Sequence, residues 1–310
     1  MYAEQTTNLN SILDTIVHGV SYRDSLIKSA VVNFNFEKYQ MREPGATEDN
    51  VSWKGQACFV IKDDKIRLDR DYKQTIYAGS TYPHGEGGKT IVIKETHYYS
   101  PTGLQTLNKV EKKLTIEASP TTPSVFPFSF GLNWGISWKT KEVVRFGDVL
   151  SNLMKQGGLS LGGEEVLEGT KCYVLEIAHT RNVKFWIAPS KGYSVMRQTI
   201  SELLGKKGDS KREFITFERV CAVTNIVGDL WLPVSGVEKY YAVDPSSKTI
   251  ENLKLYIERE TRIDVTGYEL NKVSDKDVTP PDFNSGEYNS VWDKKINKLI
   301  HLTNNPNMKN

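Results

Sequence analysis

The chain has 310 residues, 38% of them hydrophobic, enough for one large β-rich domain or two smaller ones. Forty basic residues against 38 acidic leave a formal charge of +2, so no general positive field marks a nucleic-acid binder. No apolar run approaches the roughly 18 residues of a membrane helix, and the opening MYAEQTTNLN lacks the charged-then-apolar order of an export signal.

The first periodic segment is NSILDTIVHGVSYRDSLIKSA, where Ile12, Leu13, Ile16, Val17 and Val20 recur at helical spacing. It predicts one helix with a restart at Ser21, where Ser21 and Asp24 have the spacing of a capping box. The period then changes to two. In VVNFNFEKY, Val32, Phe34 and Phe36 share one face of a half-buried strand. VSWKGQACFVI and KIRLDRDY, joined by Asp63 and Asp64, read as a hairpin, and TIYAGSTY, KTIVIKETHYY and KKLTIEA continue the meander.

Between 120 and 140 the pattern breaks into PTTPSVFPFSFGLNWGISW, too irregular for a strand and too apolar for a linker. It reads as an insertion that lays aromatics, Trp134 and Trp138 among them, over the sheet or its mouth. A second helix, FGDVLSNLMKQGG, is expected to start at Gly147 or Asp148 and to end at Gly157 and Gly158. Six or more strands follow, from EVLEGTKCYVLEIAH to LKLYIERETRIDVTGYEL. Strands succeeding one another directly pair antiparallel. The expected class is therefore mainly β (α+β): a strongly curved antiparallel sheet or open half-barrel, with the N-terminal helix and the inserted helix packed on its concave face. One domain over 1–293 and a polar tail over 294–310 complete the organisation.

Motifs suggestive of chemistry fail on context. GLSLG has the G-x-S-x-G spacing around Ser160, but a helix precedes it and strands follow, the reverse of a nucleophile elbow. A glycine-rich helix exit is the better account. PHGEGGKT ends as a phosphate loop does, yet Pro83 stands where the first glycine belongs and strands flank it. The five histidines show no ligand spacing, and His84 and His97 are expected on the surface. Glu164 and Glu165, as strand neighbours, point to opposite faces, which rules against a carboxylate pair for glycoside hydrolysis. Cys58, Cys172 and Cys221 lie in separate strands and read as buried thiols. No metal, cofactor or enzymatic activity is expected.

What stands out is the aromatic content: 15 Tyr, 11 Phe and 6 Trp. Such residues fill cores, line apolar ligand cavities, or make stacking surfaces for sugars.

The second half resembles outer-membrane lipoprotein-carrier-like (LolA/LolB-like) proteins, especially the long versions in exported bacterial proteins. The resemblance rests on the succession GGEEVLEGTKCYVLEI, VKFWIAPSKGYSVMRQT and FERVCAVTNIVGDLWLPVSGV, with Trp186, Ile187, Pro189, Lys191, Gly192 and Arg197, then Trp231, Leu232 and Pro233. The ending DFNSGEYNSVWD is similar to the tail that follows the last strand in such chains. The likeness covers about residues 160 to 293. The family's early arginine is unmatched, Arg42 being nearest in position, and the insertion at 120–140 has no counterpart.

What the resemblance implies is a non-catalytic, periplasmic or otherwise extracytoplasmic binder or carrier, its signal or lipid anchor removed. It would be a monomer holding a lipid or lipoprotein acyl chain and exchanging it with a membrane-associated donor or acceptor protein. The expected cavity wall is Phe34, Phe36, Trp53, Phe59, Tyr173, Leu175, Trp186 and Trp231, with Trp134 and Trp138 as a lid. A polysaccharide-binding module using exposed aromatics is the alternative.

Overall fold

The computed structural model describes residues 2–41, 49–77, 88–100, 103–117, 134–136, 143–178, 181–204, 212–244, 246–247, 252–282, 289–294, 296 and 298–301. Among these, most residues lie in one large, curved, open antiparallel sheet of 15 strands. Helix α1 (Tyr2–Ser25) leads into β1 (Ser29–Met41), β2 (Asp49–Lys62), β3 (Lys65–Ile76), β4 (Lys89–Ser100), β5 (Gly103–Asn108) and β6 (Lys113–Glu117). Two short strands, β7 (Trp134–Ile136) and β8 (Val143–Arg145), precede α2 (Phe146–Lys155). Then come β9 (Leu159–Leu167), β10 (Thr170–Ala178), β11 (Asn182–Ala188), β12 (Ser194–Leu204), β13 (Arg212–Val227), β14 (Leu230–Val243) and β15 (Leu255–Leu270). A single-turn helix α3 (Asp275–Val278), β16 (Ser290–Asp293) and β17 (Lys298–His301) end the described chain.

The strand order β17-β16-β6-β5-β4-β3-β2-β1-β15-β14-β13-β12-β11-β10-β9 shows two meanders joined where β1 takes β15 as its second neighbour. Nearly every pairing is between sequential strands, as short turns dictate. The exception at the far end is β16, which returns from the second meander to lie parallel to β6. Strand β17 pairs with β16, so the sheet continues past Asp293 into what the sequence reads as a tail.

The helices occupy one end of the sheet. Leu13, Ile16, Val17 and Val20, spaced by three and four, form the buried stripe of α1, and Phe146 and Leu150 that of α2. Both stripes pack on Leu159, Leu175, Phe185, Ile187 and Val195 from β9 to β12. The two helices also meet each other, Gly147 lying against Ser21 where a Cβ would collide with its backbone.

Helix α1 does not restart at Ser21; it runs through to Ser25. Asp24 is drawn instead to the other helix, its Oδ2 accepting from the Gly147 amide at 2.8 Å in the first turn of α2. Arg145 Nη1 donates to the Asp24 carbonyl at 2.8 Å and so ties the same junction from the other side. The end of α2 is as expected, with the Gly157 and Gly158 amides donating to the carbonyls of Met154 and Leu153 and Gly157 left-handed at φ 69°.

Part of the expected insertion is a strand. Trp134–Ile136 pairs with Val143–Arg145 in a small sheet of its own, while 120–133 and 137–140, Trp138 among them, lie outside the described residues. Of TIYAGSTY, Thr75 and Ile76 close β3 and residues 78–82 lie outside. Arg42 and His84 lie outside as well. No helix of the described residues is long and apolar enough to cross a membrane.

Candidate functional site

Alternation along each strand divides the sheet into two faces, and the register shows which side chains share one. On β1, Ala30, Val32, Phe34 and Phe36 point the same way; opposite them on β2 stand Ile61, Phe59, Ala57 and Gly55, and on β15 Leu270, Tyr268, Val265 and Ile263. A register shift at Asn33/Phe34 keeps the apolar parities of β1 and β15 aligned past the irregularity. Leu68 and Ile66 on β3, Tyr99 on β4 and Leu104 on β5 extend the surface, and Leu230 and Leu232 of β14 close it into one buried cluster. Trp53, Tyr72, Val265, Tyr268 and Leu270 are its half-buried margin.

Gly55 has a defined part here. It sits between Phe36 and Tyr72 in register, and a Cβ would strike the Tyr72 side chain and the Asp71 carbonyl. With hydrogen in that place, the rings of Phe36 and Tyr72 meet edge to face at 5.7 Å across the intervening strand.

The same face carries a charged band that the sequence reading missed. In one register row stand Gln198, Arg219, Glu238, Thr261, Lys38 and Trp53, from β12 to β2. Arg219 and Glu238 form an ion pair with 8% and 4% of their side chains exposed. Arg70, one strand beyond β2, holds Glu95 at 2.6 Å and His97 Nε2 at 2.7 Å. Thr106 Oγ1 lies 3.1 Å from His97 Nδ1. Arg259 lies over the Tyr240 ring at 3.8 Å, and the Lys38 ammonium 4.8 Å from the Trp53 ring. Burial and the neighbouring charges of Arg259 and Arg70 push the Lys38 amine down to about 8, with Glu238 opposing. Glu95 is held below the usual carboxylate range by His97 and Arg70 against the effect of its own burial. The available signal is parity: Lys38 continues Val32, Phe34 and Phe36, and Arg219 shares the parity, and so the face, of Phe217 and Cys221.

Of the expected wall, Phe34, Phe36 and Phe59 are buried in this inner cluster, with Trp53 at its margin. Tyr173 and Leu175 also face inward, but beneath the helices, in the cluster with Leu13 and Phe146. Trp186 and Trp231 are on other surfaces, for reasons of strand parity. Phe185 and Ile187 take the helix side of β11, so Trp186 turns outward into a cluster with Cys172, Val174, Ala188 and Met196. Its Nε1 donates to Glu165 at 2.8 Å, and Arg197 covers its ring at 4.7 Å. Trp231 alternates with Leu230 and Leu232, which take the inner face, and its half-buried ring approaches Gly192. Of Trp134 the structure gives the backbone path alone.

His97 is a correction: it is buried, inward-facing and hydrogen-bonded rather than solvated, because β4 places it opposite Leu68 and Thr106. Ser160 is an exposed residue of β9, the edge strand, its hydroxyl donating to the Glu176 carbonyl at 3.4 Å. Glu164 and Glu165 diverge as expected, to Lys171 and to Trp186. The three cysteines are free thiols, and burial raises each, Cys221 to about 11. No group of side chains suited to a metal ion occurs among the described residues.

The outer face of the sheet bears two polar depressions. One of about 420 Å³ is lined by Asn35, Gln56, Asp69, Asp71, Lys94 and Lys109, and one of about 540 Å³ by Arg67, Thr96 and the segment Lys276 to Asp282. Their charges are internally matched, Lys94 with Asp71 and both Lys109 and Arg67 with Asp69. Among the described residues Tyr22 is the one aromatic side chain more than a third exposed, a poor platform for stacking sugars.

Fold and site together define a class: an open, curved antiparallel sheet whose inner face is apolar and crossed by a charged band. No family model matches the chain, and no curated protein matches it. Among solved structures it is similar to a DUF1329 family protein from Desulfovibrio piger, at 11% identity and a TM-score of 0.41 over 86% of this chain and 97% of that one. An uncharacterized conserved protein from Thermus thermophilus gives 10% identity and 0.31 over 91% and 98%. A structure of lipid–protein interactions in lipovitellin gives 11% and 0.28, this chain spanning 79% of its own length and 26% of that protein's.

Proposed function

We propose that this chain is a non-catalytic binding or carrier protein that holds a lipid acyl chain against the inner face of its sheet. One observation carries the reading: the half-buried apolar margin of Trp53, Tyr72, Val265, Tyr268 and Leu270, which borders the buried inner layer running from Leu104 through Leu68, Phe59 and Phe34 to Ile263. Such a surface holds an acyl chain without directional chemistry, since each methylene removed from water contributes about 0.8 kcal/mol. As the carrier resemblance implies, the protein works outside the cytoplasm, and a membrane-associated partner delivers or receives the ligand.

Native mass spectrometry of gently purified protein tests this. The expected result is a lipid-sized mass increment that organic extraction removes and added long-chain lipid restores. A protein that purifies bare, and whose tryptophan fluorescence is unmoved by micromolar lipid, overturns the proposal.

A further inference from the structure

We propose that the inner face selects an amphiphile with an anionic headgroup, a carboxylate or phosphate, bound at Lys38 and Arg259; this rests on the acyl-chain reading above. Four cations and two carboxylates face one another there: Lys38, Arg70, Arg219 and Arg259 against Glu95 and Glu238. Both carboxylates are taken, Glu238 by Arg219 and Glu95 by Arg70. Among the described residues Lys38 and Arg259 have no carboxylate partner; each faces an aromatic ring, Trp53 and Tyr240 respectively. A further donor, the Arg70 Nε–H, is buried with no acceptor.

Excess positive charge on a largely desolvated face is costly, and it is the feature an arriving anion would relieve. The depressed pKa of Lys38 is the same cost seen from the amine. A neutral headgroup leaves both cations uncompensated, and a cationic one adds to the repulsion. The apolar surface begins immediately beside the cations. Phe36 follows Lys38 at the next inward position of β1, and Ile263 stands two places beyond Thr261, the residue opposite Lys38. A headgroup at Lys38 therefore has its chain directed along the half-buried rings of Trp53, its register partner, and Tyr72, which meets Phe36.

The test is competition against the neutral fluorophore N-phenyl-1-naphthylamine, using dodecyl phosphate, dodecanol and inorganic phosphate on the wild type and on Lys38→Met and Arg259→Gln. Wild type is expected to bind dodecyl phosphate at least about tenfold more tightly than dodecanol, the size of a charge-assisted contact. Each variant should lose that preference while keeping its dodecanol affinity, which also shows that it has folded. Lys38→Arg should retain it. Equal wild-type affinity for the two amphiphiles, or a preference that survives both substitutions, overturns the headgroup proposal and leaves the acyl-chain reading standing. Inorganic phosphate competing as well as dodecyl phosphate overturns it too, by making the site one for free anions. Failure of fluorophore and both amphiphiles alike overturns both readings.

Discussion

Arg219 and Glu238 face each other across β13 and β14 almost fully out of water, the guanidinium donating through both Nε and Nη2 to the Glu238 Oε1. The pair lies in register between Gln198 and Thr261, so its neighbours on the same row are polar but uncharged. A buried pair contributes little over an apolar replacement, whereas half a pair is a buried, unbalanced charge. Glu238→Gln should lower the unfolding free energy by about 3–5 kcal/mol. The double substitution Arg219→Met with Glu238→Leu should recover most of that loss. Urea unfolding of the three proteins checks both statements.

The junction of the two helices has the same logic. Arg23 is 2% exposed, donates to the Tyr193 carbonyl at 3.0 Å and lies 3.5 Å from Asp24; burial lowers its pKa against the opposing effect of that carboxylate. Asp24→Ala removes the counter-charge of Arg23 and the acceptor of the Gly147 amide together. A loss of about 3–5 kcal/mol is expected, with the helices loosened first because both bonds are theirs. Hydrogen exchange resolved by segment should show α1 and α2 losing protection before β1 and β2.

Trp186 and Trp53 separate stability from binding. Trp186→Phe keeps an aromatic ring in the outer cluster but removes the hydrogen bond to Glu165. It should cost about 1 kcal/mol and leave lipid affinity unchanged. Trp53→Ala removes a half-buried ring at the margin of the inner cluster, beside Lys38. There the stability change should be small and the affinity loss large. Urea titrations and fluorophore displacement, run on both variants, give the two readouts.

The strand pattern explains how much of this could be read beforehand. Where polar and apolar residues alternate strictly, as in NFNFE at 33–37, the sequence specifies both the strand and its two faces, whereas the run FWIA at 185–188 leaves the faces open. The open sheet and the inward placing of Phe34, Phe36, Phe59 and Leu175 follow from that. Which face is inner is a different matter, set by neighbours far away in sequence. Trp186 is large, apolar and in a strand, yet the parity that puts Phe185 and Ile187 under the helices sends it outward. The charged band was hidden for a related reason. Lys38, Arg70, Arg219, Glu238 and Arg259 come from five strands, and only the register brings them onto one face. His97 looked solvated because its partners, Arg70 and Thr106, lie on the strands to either side.

Lys38 also gives a pH dependence whose sign is fixed. Its amine falls to about 8 in the folded protein through burial, Arg259 and Arg70, with Glu238 pulling the other way, against about 10.4 for an unfolded lysine. Between those values the unfolded chain binds more protons than the folded one, so this residue makes stability rise with pH. Below about 8 both states are protonated and its charge weighs in full. Other groups titrate in that range, so the quantity to follow is the difference between wild type and Lys38→Met. At pH 7 the variant should be the more stable, and its advantage should shrink steadily from pH 8 to 10.5. An anionic amphiphile restores the amine's reason to stay charged, so dodecyl phosphate should raise wild-type stability at pH 7 more than it raises that of Lys38→Met. Urea unfolding of both proteins at stepped pH, with and without the amphiphile, reads both effects. A difference between the proteins that is flat from pH 7 to 10.5 would mean that Lys38 is solvated and that the inner face carries no excess charge to satisfy.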